Sequence, residues 1–166
     1  MKPNVIFLDF DGVICNPTAC VAMNEQGGFS YLDPVAVNLV KRICVETNSK
    51  LVISSSWRLG RNLDFFQSIL SAVCPSLGNY VWNHQENFRT VSHVFSNDEE
   101  YRCNRGIEIK EWVDRHVDDI NDFIILDDDS DMEPLMDKHI KCDVYDGLGF
   151  SGYLKAINML GKVSVV

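Results

Sequence analysis

The sequence has no apolar run close to the roughly 20 residues that a membrane-spanning helix needs. It has no internal repeat and no low-complexity tract either, so we expect neither a repeat architecture nor a compositionally disordered chain. Basic residues are outnumbered, with 15 Lys and Arg against 24 Asp and Glu and a net charge of −9. An acidic surface repels phosphates at long range, which disfavours generic nucleic-acid binding but leaves room for a local basic groove.

Zinc and redox motifs are also missing, because the cysteines form no CxxC pair and have no close histidine partner. The six cysteines are scattered along the chain, at Cys15, Cys20, Cys44, Cys74, Cys103 and Cys142. The opening segment MKPNVIFLDFD reaches an acidic residue after a very short apolar run, unlike a secretory signal peptide. We therefore expect reduced, mostly buried cysteines in a cytoplasmic protein with no membrane partner.

The chain does contain a regular alternation of short apolar runs with segments of helical period. The apolar runs predict five strands, at 4–9, 50–54, 79–82, 122–127 and 139–146. The periodic segments predict helices that start at Asp33–Pro34, stop before Pro75, run through Ile109–Val117, and extend from a Ser151 cap to Gly161. This order predicts an α/β fold with a central, mostly parallel sheet and helices on both faces.

The length of 166 residues predicts a single domain over 1–166. The polar stretch 83–104 has no clean periodicity, and we expect it to be a small insertion or a mobile loop. Its His84, Arg89, His93 and Arg102 follow no spacing pattern, so we interpret them as ordinary polar loop residues.

Polar side chains follow three of the predicted strands. Asp9 and Asp11 come after the first strand, Ser54 and Ser55 end the second, and the acidic run 127–131 follows the fourth. Ligands of an open α/β sheet bind at the carboxyl ends of its strands, so these groups should converge on one edge. Clustered carboxylates repel one another unless a cation lies among them, and hard oxygen ligands suit Mg²⁺. The sequence therefore predicts a magnesium site.

The spacing of Asp127, Asp129 and Asp131 also matches the first ligands of an EF-hand loop. That loop requires glycine at its sixth position and glutamate at its twelfth. Met132 and Lys138 occupy those positions here, so an EF-hand is rejected.

Three segments carry a resemblance to a known family. FLDFDGV, LVISSS and IILDDDSD resemble the first, second and fourth motifs of the haloacid dehalogenase-like (HAD) phosphohydrolase superfamily. The chain looks most similar to the small HAD domains found alone in phages and bacteria or attached to RNA-repair enzymes, from Val5 to about Leu160. The resemblance implies a Rossmann-like three-layer fold, and the segment 14–33 is too short for more than a minimal cap.

The resemblance also implies roles for the acidic residues. Asp9 would be the nucleophile that forms an aspartyl-phosphate, and Asp11 would protonate the leaving oxygen and later activate water. Mg²⁺ would be the cofactor. Its expected ligands are carboxylates together with the backbone carbonyl of Asp11, and the full predicted set is Asp9, Asp11, Asp127, Asp128 and Asp131.

The remaining expected site residues bind the phosphate or the substrate. The phosphoryl-binding serine is Ser54 or Ser55, and the sequence leaves this choice open. The expected charge-balancing cation is Arg105 or Lys110. Arg105 is preferred, because its distance from Asp127 along the sequence is close to the one usual in the superfamily. Gly12 would let the chain turn sharply after the nucleophile. The predicted substrate-binding residues are Gly12, Arg58 and Lys110.

These roles predict a Mg²⁺-dependent phosphatase acting on phosphate monoesters, because Asp11 favours phosphoryl transfer over carbon–halogen cleavage. A small cap suits a large substrate, such as a nucleic-acid end or a phosphoprotein, or a small one bound loosely. The RNA-repair resemblance favours a nucleotide or polynucleotide end, whereas the net charge of −9 argues against it. The alternative is a non-catalytic phosphoacceptor, a receiver-like signalling or binding module. The oligomeric state is left open.

Overall fold

The computed structural model of the protein describes residues 1–23, 31–92 and 104–163. In this part of the chain four strands form one sheet, with the order β2-β1-β3-β4. All three neighbouring pairs are parallel. The strands are Asn4–Leu8 (β1), Ser49–Ile53 (β2), Phe123–Asp127 (β3) and His139–Lys141 (β4). The predicted α/β fold with a parallel sheet is therefore confirmed.

Five α-helices accompany the sheet in the described ranges. They are Pro17–Ala22 (α1), Pro34–Thr47 (α2), Leu63–Val73 (α3), Arg105–His116 (α4) and Phe150–Leu160 (α5). Asp33 caps α2 as predicted, since its side chain accepts a hydrogen bond from the Val35 amide. Gly161 ends α5 as predicted, but the Ser151 cap is wrong: α5 begins earlier, after Gly149, without a side-chain cap bond.

The helices cover both faces of the sheet and bury two separate apolar clusters. On one face, Ile6, Leu51 and Ile124 pack with residues of α2, α3 and α5. On the other face, Phe7 and Val52 pack against α4. Alternate residues of each strand thus face opposite layers, which gives the expected three-layer Rossmann-like arrangement.

Two strand predictions failed in detail. The predicted strand 79–82 is wrong, because Leu77–Tyr80 form a 3₁₀ turn and only Val81 bridges Leu51. The last strand is shorter than predicted, since the chain turns at Asp143. The Asp143 carboxylate accepts hydrogen bonds from the amides of Tyr145 and Asp146, which holds that turn.

The predicted insertion at 83–104 lies only partly within the described residues. Of the stretch 83–104, residues 93–103 lie outside the described ranges. In the remainder, Phe88 is buried and Arg89 bridges Ile53 at the end of β2.

Five of the cysteines are described, and all five are buried free thiols. Within the described ranges no helix combines the length and the apolar character needed to cross a bilayer. The prediction of a single domain over 1–166 stays a prediction.

Candidate active site

The ends of three strands bring Ser54, Asp9 and Asp127 side by side. The Ser54 amide donates to the Leu8 carbonyl at 3.1 Å, and the Asp9 amide donates to the Leu126 carbonyl at 3.0 Å. These bonds continue the parallel register in which Leu8 pairs with both Ile53 and Leu126. In-register residues of parallel strands point to the same face, so the three side chains share the face that α4 covers.

Three carboxylates form a compact cluster at this edge. One oxygen each of Asp9, Asp127 and Asp128 lies within 4.8 Å of the other two. Burial, with the Asp9 charge as the next cause, raises the pKa of Asp127 and of Asp128. Carboxylates held this close are stable in their charged form only with a cation among them. Oxygen donors of this kind fit Mg²⁺, which usually takes one or two carboxylates and keeps several waters.

Gly12 makes room for one member of the cluster. Its φ of +69° lies in the left-handed region, and a Cβ atom there would be 2.3 Å from Cγ of Asp128. A side chain at position 12 would therefore displace the Asp128 carboxylate. The structure thus places Gly12 beside the cluster, where it shapes the site through the absence of a side chain.

Arg105 supplies a positive charge beside the nucleophile position. Its Nη1 atom lies 3.1 Å from Oδ2 of Asp9 and 2.8 Å from Oδ2 of Asp127. Burial lowers its pKa, but the charges of Asp9 and Asp127 outweigh burial and raise it above the ordinary arginine value. Arg105 therefore stays charged and bridges two of the three clustered carboxylates.

The start of α4 is held firmly, which positions Arg105. The Asn104 side chain caps the helix by accepting from the Ile107 amide, and Oδ2 of Asp131 accepts from the Arg105 amide at 3.1 Å. A Cβ on Gly106 would lie 2.3 Å from the Glu133 carbonyl oxygen, so the helix packs tightly on the loop after β3.

Lys110 does not reach the cluster. Its side chain is about half exposed, and its Nζ atom pairs with Asp114 at 2.6 Å along the outer face of α4. The geometry therefore favours Arg105 over Lys110 as the charge-balancing cation. The expected role of Lys110 in substrate binding stays a prediction.

Asp11 is held by an aromatic residue that sequence reasoning did not single out. Trp57 Nε1 donates to Oδ2 of Asp11 at 2.9 Å, and Oδ1 of Asp11 is buried without a hydrogen-bond partner. Burial raises the pKa of Asp11, the Trp57 bond lowers it, and the Asp9 charge raises it. The net rise favours the protonated form that a general acid needs. The only sequence signal for Trp57 is an indole N–H donor just after the second strand end.

The two candidate serines differ in what their hydroxyls do. Oγ of Ser55 accepts from the Trp57 amide at 3.3 Å and caps the 3₁₀ turn Ser56–Arg58. Oγ of Ser54 is buried without a hydrogen-bond partner. Ser54 itself lies beside Asp9 at the edge of the sheet. A buried hydroxyl without a partner is costly in an otherwise satisfied protein, so Ser54 is the better candidate for a phosphoryl ligand.

Arg58 is buried, and its guanidinium is fully engaged by other residues of the protein. Its guanidinium donates to the carbonyls of Ser54 and Ser55 at 2.6 and 2.8 Å and pairs with Glu108 at 2.6 Å. It also donates to the carbonyls of Thr90 and Val91. These contacts fix the end of β2 against α4 and give Arg58 a supporting place in the fold, while its predicted role in substrate binding stays a prediction.

Asp131 and the Asp11 carboxylate lie outside the three-carboxylate cluster. Oδ2 of Asp131 accepts from the Arg105 amide, and its Oδ1 is buried without a partner. The structure thus gives Asp131 a place at the start of α4 and not among the clustered carboxylates. The metal contact expected from the Asp11 backbone carbonyl stays a prediction.

Comparison with known proteins gave one result that covers most of the chain. A family described as "HAD domain in Swiss Army Knife RNA repair proteins" matches residues 5–150. Neither the comparison with curated proteins nor that with solved structures gave a match. The matched region includes all three strand ends described above, and the family supports a hydrolase of the HAD phosphatase type. The chain therefore belongs to the family of HAD domains in Swiss Army Knife RNA repair proteins.

Proposed function

We propose that this protein is a Mg²⁺-dependent phosphatase that hydrolyses phosphate monoesters through an aspartyl-phosphate at Asp9. One observation carries the proposal. Asp9 lies in the carboxylate cluster with Asp127 and Asp128 and is 3.1 Å from Arg105. Phosphoryl transfer depends mainly on positioning and on neutralising charge, and both requirements are met around this one carboxylate.

Asp9, Asp127 and Asp128 would hold Mg²⁺, which when bound would supply positive charge that offsets the negative charge of the phosphoryl group. In the first step an oxygen of Asp9 forms a bond to phosphorus while the bond to the leaving oxygen breaks. Asp11 gives its proton to that leaving oxygen. In the second step Asp11 takes a proton from water, and the water oxygen attacks phosphorus and restores the Asp9 carboxylate.

Two further residues would stabilise the transferring group. The Arg105 guanidinium lies beside Asp9 and Asp127. There it can donate charge-assisted hydrogen bonds to the charged equatorial oxygens of a phosphoryl group. The Ser54 hydroxyl, which has no other partner, would donate to a phosphoryl oxygen. Each group is held by the backbone at a strand end or at a helix start, so little reorganisation is needed.

The substrate class that we favour is a phosphate on a nucleotide or on a polynucleotide end. The description of the family, which refers to RNA repair proteins, supports this choice. The net charge of −9 does not oppose it locally, because Arg105 lies at the site, 3.1 Å from Asp9.

Hydrolysis of an aryl phosphate with Mg²⁺ or with EDTA tests the proposal. Asp9→Asn should abolish turnover, and Asp11→Asn should lower kcat by roughly 10²- to 10⁴-fold. Asp137→Asn serves as a matched control, since Asp137 is exposed in the 3₁₀ turn Met136–Lys138. Lack of turnover by the intact protein, or full activity of Asp9→Asn, would contradict the mechanism. Stoichiometric phosphorylation by acetyl phosphate without turnover would favour the receiver-like alternative.

A further inference from the structure

A groove with two arginines is connected to the site through Trp57, which contacts Arg61. It has a volume of about 470 Å³ and is lined by Gly60, Arg61, Asn62, Phe65 and Arg89. A second groove of about 330 Å³ shares Gly60 and Arg89 with it. The groove is therefore lined by two positive charges, although the chain as a whole has a net charge of −9.

Arg61 is linked to the candidate general acid through Trp57. Its Cζ atom lies 5.2 Å from the centroid of the Trp57 ring and 4.9 Å from that of Phe65. Its Nη1 atom also donates to the Trp57 carbonyl at 3.0 Å. Trp57 in turn donates to Asp11, so the Arg61 guanidinium is two contacts away from the group that would protonate the leaving oxygen.

Arg89 fixes the second positive charge in the same groove. Its Nη1 atom donates to the carbonyls of Arg58 and Arg61 at 2.5 and 3.3 Å, and its Cζ atom lies 5.3 Å from the Phe88 ring centroid. These bonds hold the 58–61 loop against Arg89, whose backbone pairs with Ile53 at the end of β2. Arg89 could not be separated from other polar loop residues by sequence pattern, because its partners are carbonyl groups about 30 positions away.

Neither arginine has a carboxylate partner in the described part of the chain, where the ion pairs involve other residues. Among the acids around the groove, Asp64 is exposed in the first turn of α3, Glu86 lines the adjoining groove, and Asp11 interacts electrostatically with Arg61. Two guanidinium groups that line one groove without an ion-pair partner attract an anion. Arginine forks also match the geometry of phosphate oxygens.

We propose that Arg61 and Arg89 form a subsite for a second phosphate or phosphodiester carried by the leaving group of the substrate. This inference rests on the proposed phosphatase function, in which Asp11 faces the leaving oxygen. A leaving group that departs past Asp11 and Trp57 enters the groove of Arg61 and Arg89. Phe65, the aromatic residue that lines the groove, suits a nucleotide base, although a bisphosphorylated sugar shares the same anionic chemistry.

Substrate pairs that differ only in the second phosphate test the subsite. We expect kcat/KM for a nucleoside 3′,5′-bisphosphate to exceed that for the 3′- and 5′-monophosphates by about tenfold. Arg61→Gln should bring the ratio close to one, and Arg61→Lys should keep part of it because the charge remains. Arg42→Gln removes an exposed arginine from α2 and should leave the ratio unchanged. A ratio near one in the intact protein, or an unchanged ratio in Arg61→Gln, would overturn the proposal.

A second pair distinguishes the two sources of the anion. If Phe65 binds a base, the kcat/KM ratio of fructose 1,6-bisphosphate to fructose 6-phosphate should be smaller than the ratio of the nucleoside bisphosphate to its monophosphates. Equal ratios would identify a general bisphosphate subsite. Calorimetric binding of the nucleoside bisphosphate to Asp9→Asn keeps the inference testable if no substrate turns over. There, about tenfold weaker binding on adding Arg61→Gln supports the subsite, and equal binding refutes it.

Discussion

The indole Nε1 of Trp57 donates a hydrogen bond to Oδ2 of Asp11 at 2.9 Å, while the second oxygen of this carboxylate has no partner. The bond fixes the orientation of the carboxyl group. The Trp57 ring is itself held between the Phe10 ring at 5.1 Å and the Arg61 guanidinium. Trp57 is thus a positioning residue for the proposed general acid.

Trp57→Phe should impair the hydrolysis of substrates with poor leaving groups more than that of activated ones. The substitution keeps an aromatic ring but removes the donor to Asp11. An alkyl leaving group needs protonation, whereas nitrophenolate departs without it. We expect kcat/KM to fall roughly tenfold more for an alkyl phosphate than for p-nitrophenyl phosphate. The control is Trp82→Phe. Trp82 packs against the apolar cluster on the face of the sheet that α4 covers, away from α3. Equal losses on both substrates would show that Trp57 has a structural role only.

Arg105→Gln should lower kcat/KM by roughly 10²- to 10³-fold, because Asp9 and Asp127 would lose the cation that bridges them. Lys110→Gln should stay within about twofold of the intact protein, since Lys110 forms only an exposed i,i+4 pair with Asp114. Steady-state hydrolysis of one aryl phosphate measures both variants. A greater loss in Lys110→Gln than in Arg105→Gln would reverse the assignment of the charge-balancing residue.

Gly12→Ala and Gly161→Ala form a matched pair, because both glycines have positive φ, at +69° and +74°. Each substitution should cost about 1–2 kcal/mol of backbone strain, measured by urea unfolding. Only at Gly12 would the new Cβ collide with the Asp128 carboxylate, since the Gly161 position is open. Gly12→Ala should therefore raise the Mg²⁺ concentration required for half-maximal activity, and Gly161→Ala should not. An unchanged Mg²⁺ requirement in Gly12→Ala would remove Asp128 from the proposed metal ligands.

The acidic strand ends could be predicted from sequence because they depend on local and topological rules. Buried apolar runs identify β1 and β3, and a parallel sheet brings the residues after them to one edge. Asp9 and Asp127 therefore follow from pattern alone. The weak strand prediction at 79–82 failed because such a short run is equally compatible with the observed 3₁₀ turn.

Side-chain partners distant in sequence could not be predicted in this way. Arg58 followed the second strand end like a site residue, but its ion-pair partner Glu108 lies 50 positions away and draws it inward. Ser54 and Ser55 are equivalent in sequence, and the turn that begins after β2 alone determines which hydroxyl becomes a cap. The Trp57–Asp11 bond spans 46 positions and has no local signature either.

The buried Arg58–Glu108 pair should be important for stability. Glu108→Ala would leave the Arg58 guanidinium, which is almost fully buried, without its ion partner, and should destabilise the fold by roughly 3 kcal/mol. Asp114→Asn breaks an exposed pair on the same helix and should cost less than about 0.5 kcal/mol. Urea unfolding of both variants measures the difference. Equal effects would mean that the Arg58 hydrogen bonds to backbone carbonyls suffice to hold it.

Glu46 should make the stability of the protein depend on pH in the acid range. Its carboxylate accepts from Lys162 at 2.7 Å, from Arg42 at 2.8 Å and from the Tyr153 hydroxyl at 3.0 Å, and it thereby ties α2 to α5 and the chain beyond it. The hydrogen bonds from Lys162 and then Arg42 lower its pKa from 4.5 to about 2.

The unfolded chain therefore binds a proton at Glu46 at higher pH than the folded protein does, and stability rises with pH between about 2 and 4.5. The intact protein should exceed Glu46→Gln in free energy of unfolding by up to about 1 kcal/mol above pH 5, because the partners are exposed and screened. This difference should disappear as the pH falls towards 2, and high salt should reduce it. Urea unfolding at several pH values measures it. A difference that is constant from pH 7 to pH 2 would show that Glu46 acts through packing and not through its charge.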